Sequence, residues 1–226
     1  MKTKPCENSP PSAPNRIAVW RLGMVEYGVA YQLQKKLHQQ RVEGEIGDTL
    51  LLLEHPPTIT VGKAGSTDNI LVPHEALHQK GIALYFVDRG GDVTYHGPGQ
   101  LVGYPILDLS SRGGDLKRYV HNLEEVLIWT LEDFSIKAAR DPQHVGVWIG
   151  QKKIASIGLS VRDWVTMHGF SLNVCTRMED FSLIHACGLR DRRSGSMQEL
   201  LGFPPSMDQV SEKLQRRFSD LFDKGG

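Results

Sequence analysis

"HVGVWIGQKKIASIGLSVRDWVTMHGFSLNV", residues His144 to Val174, is rich in β-branched and aromatic residues and is cut at Gly150-Gln151 and again at Arg162-Asp163. Turn residues between β-rich runs predict a meander of three strands. Strands joined so closely run antiparallel, because a parallel neighbour needs a crossover of a dozen residues or more. The chain around this stretch repeats the pattern. "RIAVWRLG" (16–23) reads as a strand, and "GDTLLLLEHPPTITVG" (47–62) as a buried strand, a turn at Pro56-Pro57 and a second short strand. "GIALYFVDRGGDVTYHGPGQLVGYPILDL" (81–109) reads as two strands flanking a glycine-rich turn. Helices enter at three places. Ala30, Leu33 and Leu37 stand at helical spacing on a polar stretch. Asp115 to Phe134 carries Leu116, Val120, Leu123, Leu127, Leu131 and Phe134 at steps of three and four. Near the end, Ser196-x-x-Glu199 and Ser206-x-x-Gln209 have the form of capping boxes, the second opening a helix with Val210, Leu214, Phe218 and Leu221 on one face. Strands outnumber helices and mostly adjoin one another, so the expected fold class is α+β, a mixed or antiparallel sheet flanked by helices.

With 226 residues, 40% of them hydrophobic, the chain can bury one full core, and we expect a single domain over residues 16–226. The first fifteen residues, "MKTKPCENSPPSAPN", hold four prolines and no apolar run, and are expected to be a disordered tail rather than a signal or transit peptide. Lys+Arg and Asp+Glu both number 26, which leaves no net field to attract nucleic acid. No run of 18 apolar residues suggests a membrane span. The three cysteines, Cys6, Cys175 and Cys187, supply no disulfide framework and fit a reducing cytoplasm.

Between Arg89 and Ile106 stand Gly90, Gly91, Gly97, Gly99 and Gly103. Neither G-x-G-x-x-G nor G-x-x-x-x-G-K-[ST] can be read there, so a phosphate cradle is not supported. The interleaved Arg89, Thr94, Tyr95, His96 and Gln100 are more than a plain turn requires. Elsewhere His74-Glu75-Ala76-Leu77-His78 spells H-E-x-x-H, two zinc ligands one helical turn apart with a glutamate base. Pro73 and Gly81 leave that helix about two turns, with no third ligand identifiable, so no metal is expected. Cys187, in "LIHACGLRD", precedes a glycine and is the candidate nucleophile among the cysteines. A free thiol titrates near 8.5, so it needs a cationic or basic neighbour, for which Lys153, His96, His168 and His185 are candidates.

"RGGDVTYHGPGQLVGYPILDL", "GVWIGQKKIASIGLSVRDWVTMHGFSLNV" and "ACGL", with "LLLEHPPTITVGK" before them, resemble the signature segments of the lipoyl(octanoyl) transferases, from about Ile17 to Phe203 in the same order. That resemblance implies a fold similar to the catalytic domains of the biotin and lipoate-protein ligases. It implies an acyltransferase that moves octanoyl from octanoyl-acyl carrier protein to a lysine of lipoyl domains, those of 2-oxoacid dehydrogenase complexes and the glycine cleavage H protein, in the cytoplasm and with no cofactor. It places the acyl-thioester cysteine on Cys187 and, on Lys153, the lysine that lowers its pKa. The acyl-binding segments fall on Arg89, Gly90, Gly91, Asp92, Val93, Thr94, Tyr95 and His96, on Ser156, Ile157 and Gly158, and on Gly169, Phe170 and Ser171. Two positions depart from the family pattern: Ala186 stands where proline often precedes the cysteine, and Lys63 where arginine is common. The rival readings are an ATP-dependent lipoate-protein ligase, a catalytically silent acyl-protein binding module, and a zinc hydrolase using His74, Glu75 and His78. Arg190, Arg192, Arg193 and Lys152, close in sequence to the proposed pair, are expected to form a basic rim for acidic partner domains.

Overall fold

The computed structural model describes residues 16–188 and 192–223, Cys187 by its backbone alone; the expected tail (1–15), with Cys6, and Arg190 lie outside them. In chain order the elements are β1 (Ala18–Met24), α1 (Tyr27–Val42), β2 (Thr49–Glu54), β3 (Thr58–Val61), α2 (His74–Gln79), β4 (Ala83–Phe86), β5 (Val93–His96) and β6 (Gln100–Ile106). There follow α3 (Leu116–Glu132), β7 (Ala139–Arg140), β8 (Val147–Ile149), β9 (Lys152–Arg162), β10 (Val165–Asn173), β11 (Arg193–Ser194), α4 (Met197–Leu201) and α5 (Met207–Phe222). Two sheets result. An eight-stranded sheet has the order β1-β2-β6-β10-β9-β8-β7 with β11 beside β9, and a three-stranded sheet has the order β4-β3-β5. The large sheet is mixed, because β1 runs parallel to β2 and β11 parallel to β9 while the remaining pairs are antiparallel.

The expected meander is β8, β9 and β10. Its second turn falls on Asp163-Trp164, both in the left-handed region with φ of 52° and 61°, the backbone twist that two-residue hairpin loops favour. Alternation along the strands divides the core into two layers. Leu50, Leu52 and Leu101 face α3 and α5, where Leu123, Leu127, Leu214 and Phe218 are fully buried. Leu51, Leu53, Val102 and Ile106 face α1 and meet Ala30 and Leu37. Side chains at positions i and i+2 of a strand share a face, so strands buried on both faces read as the continuous apolar runs seen in the sequence. β10 alternates in the same way, with Val165 and Met167 on the α1 side and Phe170 and Leu172 on the other. Within it His168 has a φ of 57°, a conformation that a side chain with a Cβ rarely adopts.

α5 starts where its cap predicted, Ser206 accepting from the Gln209 N–H, and α3 starts after Asp115, which accepts from the Arg118 N–H. Ser196 and Glu199 form a full reciprocal box at α4. The glycine-rich stretch differs from its reading. It is not one turn but contains a strand, β5, which pairs with β3 in the small sheet.

Candidate active site

β5 faces the middle of β9 and β10 across a cleft. The loop Arg89–Asp92 closes one wall, Ser156–Gly158 and Gly169–Ser171 form the other, and Tyr27, Thr94, His96, Tyr104 and His168 line the interior. Of the residues expected to bind an acyl group, Val93 and Tyr95 are the exceptions. They point into the core of the small sheet with Ile59, Val61 and Leu77, and the Tyr95 hydroxyl donates to Asp180. A strand presents alternate side chains to opposite faces, so only Thr94 and His96 of β5 can reach the cleft.

The glycines mainly let the chain approach itself. A Cβ on Gly103 would lie 2.1 Å from the Phe170 ring, and one on Gly158 would lie 2.9 Å from the Gly90 carbonyl oxygen. The loop docks on β9 there, its Gly90 N–H donating to the Leu159 carbonyl. The buried Arg89 guanidinium donates to the carbonyls of Thr60, Gly90 and Asp92 and so fixes the loop from behind.

Three imidazoles gather at the inner end. The Asn173 Nδ2–H donates to the Gly195 carbonyl, so Asn173 Oδ1 accepts from Gln100 Nε2, Gln100 Oε1 is left as acceptor, and His96 carries its proton on Nδ1. His55 likewise donates from Nδ1 to the Val25 carbonyl and accepts the Tyr104 hydroxyl at Nε2. Tyr27 stacks on His96 with ring centroids 6.0 Å apart. His168 Nε2 donates to Asp88 Oδ1, which also accepts the Tyr31 hydroxyl. Burial pushes Asp88 up, but those two hydrogen bonds outweigh it and hold the carboxyl below its usual range. Burial, above all, pushes His55 down to about 4 and His96 to about 3. An unfolded chain protonates both histidines as pH falls through about 6.5, whereas the folded protein resists until about 4 and about 3. Their contribution to stability is therefore complete above pH 6.5 and is lost as pH falls. Urea midpoints measured between pH 7 and pH 4 should drop, and His55→Gln should flatten that drop; a slope equal to wild type would show that His55 is not held neutral.

Lys153, on β9, is 8% exposed. Its ammonium lies over the Trp148 ring, 5.3 Å from the centroid, and its Cε occupies the space beside Gly146 where a Cβ would stand 2.5 Å away. The backbone of Cys187 belongs to a short 3-10 turn, Ala186–Gly188; its side chain lies outside the described structure. The turn is held against Asn69 and against Asp92 of the loop that walls the cleft. The His185 N–H donates to the Asn69 carbonyl at 2.8 Å, and Gly188, with φ of 68°, sits so close to Asp92 that a Cβ there would be 2.8 Å from Oδ2. Ala186 packs against the core of the small sheet.

Two other expectations change or stand apart. Arg192 pairs with Asp141 at 3.2 Å and Lys152 with Glu199 at 3.6 Å, while Lys152 and Arg193 are both exposed among the described residues. Counting charges along the chain could not reveal those carboxylate partners. His74, Glu75 and His78 are all exposed on α2, a helix of six residues, and no cluster of three potential ligands occurs among the described residues. The cleft residues Tyr27 and Tyr104 went unrecognised in the sequence, where each is a lone aromatic in an apolar context.

A family model described as the lipoyl protein ligase A/B catalytic domain matches residues 26–219. An octanoyltransferase of Caldicellulosiruptor saccharolyticus is 51% identical over 92% of this chain and 89% of its own. Among solved structures, a bipartite lipoate protein ligase from Thermoplasma acidophilum superposes with a TM-score of 0.70 at 18% identity, over 91% of this chain and 83% of that one. A biotin protein ligase from Aquifex aeolicus does so with 0.58 at 15%, over 92% and 71%. The likeness to these ligases confirms the expected fold class.

Proposed function

Because this chain belongs to the lipoyl protein ligase A/B catalytic-domain family, and within it to the octanoyltransferases, we propose that it carries octanoyl groups through a thioester on Cys187 to lysines of lipoyl domains. One observation supports this reading above others. Arg89–Asp92, Ser156–Gly158 and Gly169–Ser171, far apart in sequence, converge on one cleft, and the Cys187 turn is fastened at its Asp92 end. In the first step the Cys187 thiolate attacks the carbonyl of octanoyl-acyl carrier protein; the carrier's sulfur leaves as a thiolate and takes its proton from the Lys153 ammonium, which is left neutral. In the second, the uncharged amine of the acceptor lysine attacks the enzyme thioester, the C–N bond forms as the C–S bond breaks, and the amine proton passes to a base, for which Lys153 in its neutral form serves. The thioester is already activated, so the reaction needs neither ATP nor a metal.

The acceptors are lipoyl domains, and those of 2-oxoacid dehydrogenase complexes and the glycine cleavage H protein are the proposed members. Both partners are proteins of the cytoplasm, where we place the enzyme; no helix among the described residues is long and apolar enough to cross a membrane. The test uses octanoyl-acyl carrier protein and a lipoyl domain without nucleotide. Octanoylated domain should accumulate, and ATP with free octanoate should not replace the carrier. Product formed only with ATP would favour the ligase reading, and no product under either condition the silent binding module.

Gly158→Ala bears on the cleft directly. Its new Cβ meets the Gly90 carbonyl oxygen at 2.9 Å, and overpacking of about 1–3 kcal/mol translates into a KM for the acyl donor raised roughly tenfold. Steady-state kinetics showing an unchanged KM would mean that the loop does not bind the donor.

A further inference from the structure

We propose that the Trp148 ring, together with Asp141 and Arg192, is a positioning device that holds Lys153 and the chain leaving Cys187 in register. This rests on the roles assigned to Cys187 and Lys153 above. Trp148 is 3% exposed. Two cations from different segments share its ring: Lys153 Nζ lies 5.3 Å from the centroid and Arg192 Cζ 5.1 Å. Arg192 stands five residues after Cys187 in the sequence. Like charges are brought together here by the electron-rich ring and by Asp141, whose carboxylate pairs with the Arg192 guanidinium at 3.2 Å.

The support itself is fixed. Asp141 Oδ1 accepts the N–H groups of Gln143 and His144, and the Trp148 Nε1–H donates to the His144 carbonyl at 3.1 Å. The Gly146 N–H donates to Glu124, and the missing side chain of Gly146 is the notch that Lys153 fills. Backbone pairing completes the arrangement, since Lys153 faces Trp148 on β8 and Ser194 on β11. A lysine has four rotatable bonds and no preferred direction of its own. Ring, notch and strand pairing together remove that freedom, and the same ring anchors the segment that follows the nucleophile.

The device separates from a surface steering role by what each variant changes. Alkylation of Cys187 in the full-length protein, followed on its own peptide by mass spectrometry from pH 5 to pH 10, reads thiolate supply. Trp148→Leu should move the midpoint up by about one pH unit and so slow alkylation at pH 7 by about two- to threefold. Trp148→Phe, with a weaker ring quadrupole, should fall between. Arg192→Lys keeps the charge but neither stacks nor forks, and it should lower kcat several-fold while leaving KM for the carrier protein within twofold. A folded Trp148→Leu protein with the wild-type profile would overturn the proposal, as would an Arg192→Lys enzyme with wild-type kcat. Should Trp148→Leu fail to fold, the partly exposed Arg192 carries the test alone. Wild-type protein that takes no octanoyl group on Cys187 would sink the underlying reading instead, a result separable from unaltered variants of an enzyme that does.

Discussion

With Cys187 replaced by alanine, octanoyl transfer to a lipoyl domain should fall on the order of 10⁵-fold, because a covalent route loses its nucleophile entirely. The fold should survive. The turn is held by backbone contacts, the His185 N–H to the Asn69 carbonyl and the Gly188 N–H to the His185 carbonyl, and neither needs the thiol. Circular dichroism and the thermal midpoint should match wild type. The control is Cys175, a half-buried thiol beside Gly99. Burial first, and then the nearby Glu54 carboxylate, push its pKa up, so it is a poor nucleophile at neutral pH. Cys175→Ala should therefore transfer octanoyl at the wild-type rate. A tenfold loss in that variant, or transfer retained by Cys187→Ala, would move the chemistry to another residue.

Lys153→Ala has the second largest effect. An ammonium close to a thiol favours the thiolate and lowers its pKa by about 1–3 units, and an ordinary thiol is still about 3% ionised at pH 7, so removing the ammonium should slow Cys187 alkylation there by about ten- to thirty-fold. The deficit should vanish as pH rises, because an ordinary thiol ionises near 8.5. Sign and window follow from that pKa: the wild-type rate is already near its plateau at neutral pH, and the variant rate climbs through pH 8 to 9. The double variant Lys153→Ala, Cys187→Ala should be little worse than Cys187→Ala alone, since residues that act as one unit are not additive. Equal alkylation rates at every pH would remove Lys153 from the mechanism.

The meander was legible because Gly150 and Asp163 punctuate its β-rich runs, and the long helices because their apolar positions recur at steps of three and four. β5 was not legible. Its four residues between Asp92 and Gly97 offer too short a window for alternation, and the pairing that makes them a strand comes from β3, more than thirty residues earlier. β7 and β11, of two residues each, exist only through their neighbours in the large sheet. The site divides in the same way. Arg89 to His96, Ser156 to Gly158 and Gly169 to Ser171 were found as segments, and the cleft unites them except at Val93 and Tyr95. Tyr27, His55 and Tyr104 carry no signal of spacing, since they meet only when α1, β2 and β6 are stacked. The charge balance of the expected basic rim was not legible either: Arg192 and Lys152 have carboxylate partners, Asp141 and Glu199, that lie 51 and 47 residues away along the chain. The need for glycine at Gly103 and Gly158 was not legible, since it comes from the Phe170 ring and the Gly90 carbonyl, which only the fold brings there.

The most direct test of the central claim is the mass of the intact wild-type protein after incubation with octanoyl-acyl carrier protein alone, followed by peptide mapping. One octanoyl group per chain, on the peptide that contains Cys187, labile to hydroxylamine as a thioester is and discharged when a lipoyl domain is added, is the predicted result. An unmodified chain that nevertheless octanoylates the lipoyl domain, or a stable adduct on any residue other than Cys187, would contradict it.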